Sequence, residues 1–187
     1  MHKTRIALVL MSGLFVSFAR AQVTNVTFTE LETFESQPGT VIVKGSGPIG
    51  SLNLGAINVT VTCKESTDAT AGRKEYGVAV EIAENNRHGA RMVVDYDEMD
   101  SLLSGLNYLA QIDSNVTTLP TFVASYVTRS GLRVGAFTNQ RQGAIQYFLQ
   151  DRGINSARIP ITAAELSQFR SLMQQARQKL DSLRTAA

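Results

Sequence analysis

The sequence is poor in the residues from which most catalytic and cofactor sites are built. Its 187 residues include one cysteine, Cys63, and two histidines, His2 and His88. A single cysteine excludes an intramolecular disulfide. Cys63 ends an alternating apolar run, where a small buried hydrophobe is expected. One histidine beyond the N-terminal segment excludes a histidine metal cluster. A Ser-His-Asp triad would have to use His88, and no G-x-S-x-G elbow accompanies it. We therefore expect no catalytic, metal or cofactor residues, and a protein that is not an enzyme.

A long apolar run is also missing. The most apolar stretch, Ile6 to Phe18, has 13 residues, against about 20 for a bilayer span. It follows His2, Lys3 and Arg5 and precedes Ala19-Arg20-Ala21. That order predicts a signal peptide over 1–21, cleaved before Gln22, and hence a secreted or periplasmic protein without a stable membrane span. Gln22 stands where a lipoprotein would need cysteine.

A net positive charge is absent once the signal is removed. Lys3, Arg5 and Arg20 leave with it, so the 166 remaining residues carry 15 basic and 16 acidic side chains. The general field that draws proteins onto nucleic acid is lacking, and nucleic acid is not expected as the partner. The balance conceals an asymmetry. Residues 22–113 carry 6 basic and 13 acidic side chains, whereas 114–187 carry 9 basic and 3 acidic. The simplest reading is two halves that complement each other. An arginine face for an anionic partner and self-association are the alternatives.

Periodicity and breakers give an α+β domain over 22–187, made of two halves at about 38–113 and 119–184. In the first half, strands are expected at Thr40–Lys44, Ile57–Cys63, Val78–Ala83 and Arg91–Val94. Glu65 to Arg73 reads as a polar loop and Asn85 to Gly89 as a turn. A helix over about Tyr96–Ile112 follows, with Met99, Leu102, Leu106 and Leu109 on one stripe. In the second half, strands are expected at Phe122–Thr128, Leu132–Ala136, Ala144–Leu149 and Arg158–Ile161. A helix over about Ala163–Leu183 follows. Each half is thus four antiparallel strands and a helix, (β4α)2.

A shift of 67 residues relates the halves. Ala90-Arg91 falls on Ala157-Arg158, and Met99, Leu102 and Leu106 fall on Leu166, Phe169 and Met173. Val78, Val80 and Ile82 fall on Ile145, Tyr147 and Leu149 without a gap. Asp95-x-x-Glu98 and Thr162-x-x-Glu165 both have capping-box spacing after a strand. This duplicated order resembles the Whirly and PUR-alpha single-stranded nucleic-acid-binding proteins, whose folds pair two such units. The resemblance lies in element order over most of the mature chain, and no sequence motif accompanies it. It implies a paired β4α fold and brings no functional residue with it.

The remaining motifs are weaker than their spacing suggests. Gly45-Ser-Gly47-Pro-Ile-Gly50 matches G-x-G-x-x-G, but a dinucleotide site needs a helix to start there. The segment is followed by strand, so a flexible strand-to-strand loop is expected. Asp95, Asp97, Glu98 and Asp100 suit the first turn of a helix, where the macrodipole favours anions. Asn25, Asn58 and Asn115 each begin an Asn-Val-Thr sequon. Arg133 and Phe137 share a strand face opposite Leu132 and Val134. With Arg129 and Arg141 they form the candidate binding face, because arginine and aromatic sheet faces bind anionic chains. The expected function is an exported, non-enzymatic binding or structural protein. A polyanion binder using the arginine-rich half and a carrier of small apolar ligands are the alternatives.

Overall fold

The computed structural model describes residues 28–84, 89–138, 144–152 and 157–186. A short helix, α1 (Glu30–Glu35), comes first. Four strands follow: β1 (Ile42–Leu54), β2 (Ile57–Asp68), β3 (Lys74–Glu84) and β4 (Ala90–Asp95). A 3₁₀ turn at Tyr96–Glu98 leads into α2 (Met99–Gln111). The second half comprises β5 (Val123–Val127), β6 (Arg133–Thr138), β7 (Ile145–Gln150), β8 (Ile159–Ile161) and α3 (Ala163–Thr185). Each set of strands forms an antiparallel sheet in chain order. The fold is thus α+β with two β4α units, as the periodicity predicts.

One core joins the halves. Alternation on β2, β3 and β4 places Val59, Val61, Cys63, Val78, Val80, Met92 and Val94 on the inner face of the first sheet. Leu132, Val134, Ala136 and Leu149 do the same in the second, and the helix stripes fill the space between. The helices cross over. α3 packs mainly on β1 and β2, with smaller contacts to β3 and to β7 of its own half, while α2 packs on β5 and β6 and against α3. Gly50 permits the first crossing, since a Cβ there would come within 2.7 Å of Leu172 Cδ2. Each sheet thus buries its inner face largely under the helix of the other half, so the halves depend on each other.

α1 packs on one part of the outer face of the first sheet, against β2, β3 and β4. Leu31 and Phe34 are buried there, near Gly77, where a Cβ would stand 3.0 Å from Leu31 Cδ2. The periodicity did not indicate this helix, which buries only two apolar side chains. Its signal is the capping box Thr29-x-x-Glu32, in which Glu32 N–H donates to Thr29 Oγ1 and Thr29 N–H to Glu32 Oε2.

Three other expectations change. The glycine-rich segment 45–50 is not a loop. It lies inside β1, which pairs with β2 along its length and shifts register between Pro48 and Gly50. Pro48 is tolerated because β1 is an edge strand with an irregularity at that point. The polar stretch after Cys63 is strand as far as Asp68, with Ser66 and Asp68 buried. The ungapped shift of 67 holds only for the last strand and helix of each half. Val78 pairs with Val94, but Ile161 pairs with Tyr147 rather than Ile145. The third strand is displaced by two residues, a full pleat, so the same faces stay buried.

Candidate binding surface

The register of the second sheet defines its outer face. Val123, Phe137 and Gln146 lie in one row, and Ser125, Gly135, Phe148 and Pro160 in the next. Val127, Arg133 and Gln150 form a third. Gly135 sits opposite Phe148, whose ring lies over it. A Cβ on Gly135 would meet that ring at 2.5 Å. An aromatic ring laid across a strand glycine restores the packing that the missing side chain gives up. Arg158 closes the arrangement, with its guanidinium carbon 4.7 Å from the Phe148 centroid and 5.5 Å from the Phe137 centroid. Phe148 is fully buried beneath it.

Arg133 and Phe137 therefore share this face, as the alternation predicts. Phe148 and Arg158 belong to it and were missed, although Phe148 alternates with the inward Tyr147 and Leu149. Val123 and Val127, on the edge strand β5, are exposed beside them. Arg141 lies outside the described residues, as do His88 and the signal segment.

Arg129 does not belong to this face. It occupies the turn after β5 and points to the first half. Its Nη1 donates to Asp97 Oδ1 at 2.8 Å and to Asp95 Oδ2 at 3.2 Å, with Glu30 Oε1 at 3.9 Å. The Asp97 hydrogen bond is the largest influence holding its pKa above the ordinary arginine value. Arg177 of α3 likewise reaches Asp100 of α2 at 3.1 Å. Acidic first half and basic second half are thus joined internally at these points, which fits the complementarity expected from the charge asymmetry.

Two expected caps differ. Thr162 and Glu165 form the capping box of α3. Asp95 makes no cap bond to its own helix. It accepts instead from the Glu30 and Leu31 amides at 2.8 and 3.0 Å, capping α1 from 64 residues away. Glu98 also leaves its own helix, and its Oε1 accepts from the Arg129 amide at 2.9 Å. Burial is the main cause raising its pKa. These acids hold structure together, and among the described residues no group of three or more His, Cys, Asp or Glu is placed to hold a metal ion.

Cys63 is buried, with its Sγ 3.5 Å from the Ala176 carbonyl oxygen. Burial pushes its thiol up to about 11. It floors a groove of about 300 Å³ that Gly45 and Gly47 leave open beside Lys179 and Leu183. No helix among the described residues is long and apolar enough to cross a membrane. Compared with family models, curated proteins and solved structures, the chain matches none.

Proposed function

We propose that this is an exported, non-enzymatic binding protein that meets an acidic protein partner on the outer face of its second sheet. One observation carries the reading. Helix α1 packs on the outer face of the first sheet beside β3 and β4, while the outer face of the second places exposed Val123 and Val127 beside Arg133, Phe137 and Arg158. Arginine and aromatic anchors beside apolar area are the composition of binding hot spots. Stacking on Phe137 and Phe148 holds the Arg158 guanidinium in place, so less entropy is lost when it meets a carboxylate. The basic start, the apolar run and Ala19-Arg20-Ala21 within residues 1–21 support the export part of the reading.

A photo-crosslinking residue at position 137 tests the reading in the exporting host. One at Thr60, on the other sheet, serves as control. We expect one discrete adduct from position 137, absent from position 60 and abolished by Arg133→Glu with Arg158→Glu. Equal crosslinking from both positions would sink the proposal.

The second reading is a polyanion binder on the same face. The stacking of Arg158 on two aromatic rings favours it, because such surfaces also receive single strands. The sequestration of Arg129 among three carboxylates speaks against it.

A further inference from the structure

Four strands form the edges of the two sheets: β1 and β4 in the first, β5 and β8 in the second. An edge strand carries unpaired backbone groups, and proteins blunt such edges with charge, proline, irregularity or short length. β1 has Lys44, Pro48 and a register shift. β4 has Arg91 and ends at Asp95, which holds α1 and Arg129. β8 is three residues long and contains Pro160. β5, Val123-Ala-Ser-Tyr-Val127, has no charge, proline, glycine or register shift.

The open groups of β5 can be named. Thr138 N–H donates to the Phe122 carbonyl, and Thr128 N–H to the Leu132 carbonyl. Bonded and non-bonded pairs alternate along an antiparallel ladder, so the backbone groups of Ala124 and Tyr126 also face β6. Those of Val123, Ser125 and Val127 point away from the sheet. No backbone group among the described residues pairs with them.

Exposed apolar side chains gather at the same edge. Of the eight large ones exposed among the described residues, five are Tyr108, Val116, Leu119, Val123 and Val127. Ser101 and Gly105 set α2 against β5. The Ser101 and Tyr126 hydroxyls are 2.7 Å apart, and a Cβ on Gly105 would come within 2.6 Å of the Tyr126 ring. Tyr108 continues that stripe of α2 with helical spacing. Val116 and Leu119 lie in the segment that joins α2 to β5. Exposed apolar surface concentrated in this way marks an interaction site.

We propose that β5 pairs with β5 of a second copy of the chain, antiparallel about a two-fold axis at Ser125. The strand is self-complementary in that register. Val123 stands opposite Val127 of the copy, and Ser125 opposite Ser125. All three carry outward groups, so each pair exchanges both of its hydrogen bonds. The valines meet on the outer face, where β-branched cross-strand pairs stabilise a sheet. Charges of like sign do not meet. Arg133 follows Val127 in its row, and across the axis that row continues with Val123 and Phe137 of the copy. An isologous contact of this kind closes after two copies. A foreign strand would gain the backbone bonds without this match of side chains. The pairing needs no acidic partner and leaves Arg133, Phe137 and Arg158 open, so it stands or falls apart from the function proposed above.

Analytical ultracentrifugation of the purified protein tests the proposal. We expect a monomer–dimer equilibrium. Ser125→Pro removes a donor that the monomer does not use. It should weaken the dimer roughly tenfold or more and leave the melting midpoint nearly unchanged. Should that variant fail to fold, Val127→Lys, at an exposed site, puts a charge on the edge to the same effect. Oxidation tests the register. Ser125→Cys should give a disulfide-linked dimer, because the paired Cα atoms stand about 5.5 Å apart. Val123→Cys should not, because its two copies lie about 13 Å apart along the strands. Cys63 is buried and stays out of the reaction. Three results would overturn the proposal: a monomer at every concentration up to about 100 μM, a dimer unweakened in the folded edge variant, or Val123→Cys linking as readily as Ser125→Cys.

Discussion

Asp95 and Arg129 meet across the two halves, with Oδ2 and Nη1 3.2 Å apart and the Asp95 side chain almost fully buried. The carboxylate holds three partners: the guanidinium and the first two amides of α1. It thereby fastens the helix over the first sheet and the turn of the second half to one point. Replacing Asp95 with Ala removes a helix cap and leaves buried amides unpaired. We expect a loss of about 2–4 kcal/mol, above the usual range for a cap alone. Thr162→Ala, which loses only a local cap, should cost about 0.5–2 kcal/mol. Urea denaturation of the two variants checks the ordering; equal losses would refute the hub.

The contrast between those two caps shows how far the sequence could be read. Asp95-x-x-Glu98 and Thr162-x-x-Glu165 have the same spacing, but only the second acts locally. In the first half, α1 and the turn at Arg129 offer the carboxylates better partners, and those partners are distant in sequence. Strand and helix existence was legible, because Val78, Val80 and Ile82 and the stripe from Met99 to Leu109 repeat with clear periods. The register displacement was not, because a slip of two residues leaves every face unchanged. Arg133 and Phe137 were legible as one face by alternation. The fate of Arg129 was not, since nothing local marks its reach to Asp97.

Gly135 and Phe148 give a packing prediction. Gly135→Val would place its Cβ 2.5 Å from the Phe148 ring and 2.6 Å from the Ala124 carbonyl oxygen. The ring can move only by leaving its place beneath Arg158. We expect a destabilisation of about 1–3 kcal/mol, as for overpacking elsewhere, together with weaker crosslinking from position 137. Thermal unfolding and the crosslinking assay check the two parts. A stable variant with intact crosslinking would show that the ring is not fixed by the glycine.

Glu98 gives a pH dependence. Burial raises its folded pKa above the ordinary 4.5, despite the Arg129 amide that favours the charged form. The folded state therefore binds this proton more tightly than the unfolded state. Its contribution to stability is fully present below about pH 4.5 and is lost as pH rises through the folded pKa. Glu98→Gln keeps an acceptor for the Arg129 amide and removes the charge. The variant should gain on the wild type in melting midpoint as pH rises from 4 to 7.5. A constant difference across that range would count against it.

The last prediction concerns nucleic acid. The protein should not bind a single-stranded oligonucleotide tightly at physiological salt, despite its two β4α units. Phosphate contacts supply most non-specific affinity, and each needs a cation that is not already spent. Arg129 is bound to Asp95 and Asp97, and Arg177 to Asp100 and Asp181. Arg158 is stacked on Phe137 and Phe148, on a body whose residues 22–187 carry 15 basic and 16 acidic side chains. Freeing Arg129 with Asp97→Asn should raise affinity only slightly, because Asp95 and Glu30 remain beside it. Fluorescence anisotropy at about 0.15 M salt, on the physiological scale of screening, decides the matter. Sub-micromolar binding that falls steeply with salt and disappears on changing Arg133 and Arg158 to Glu would reverse the order of the two proposed functions.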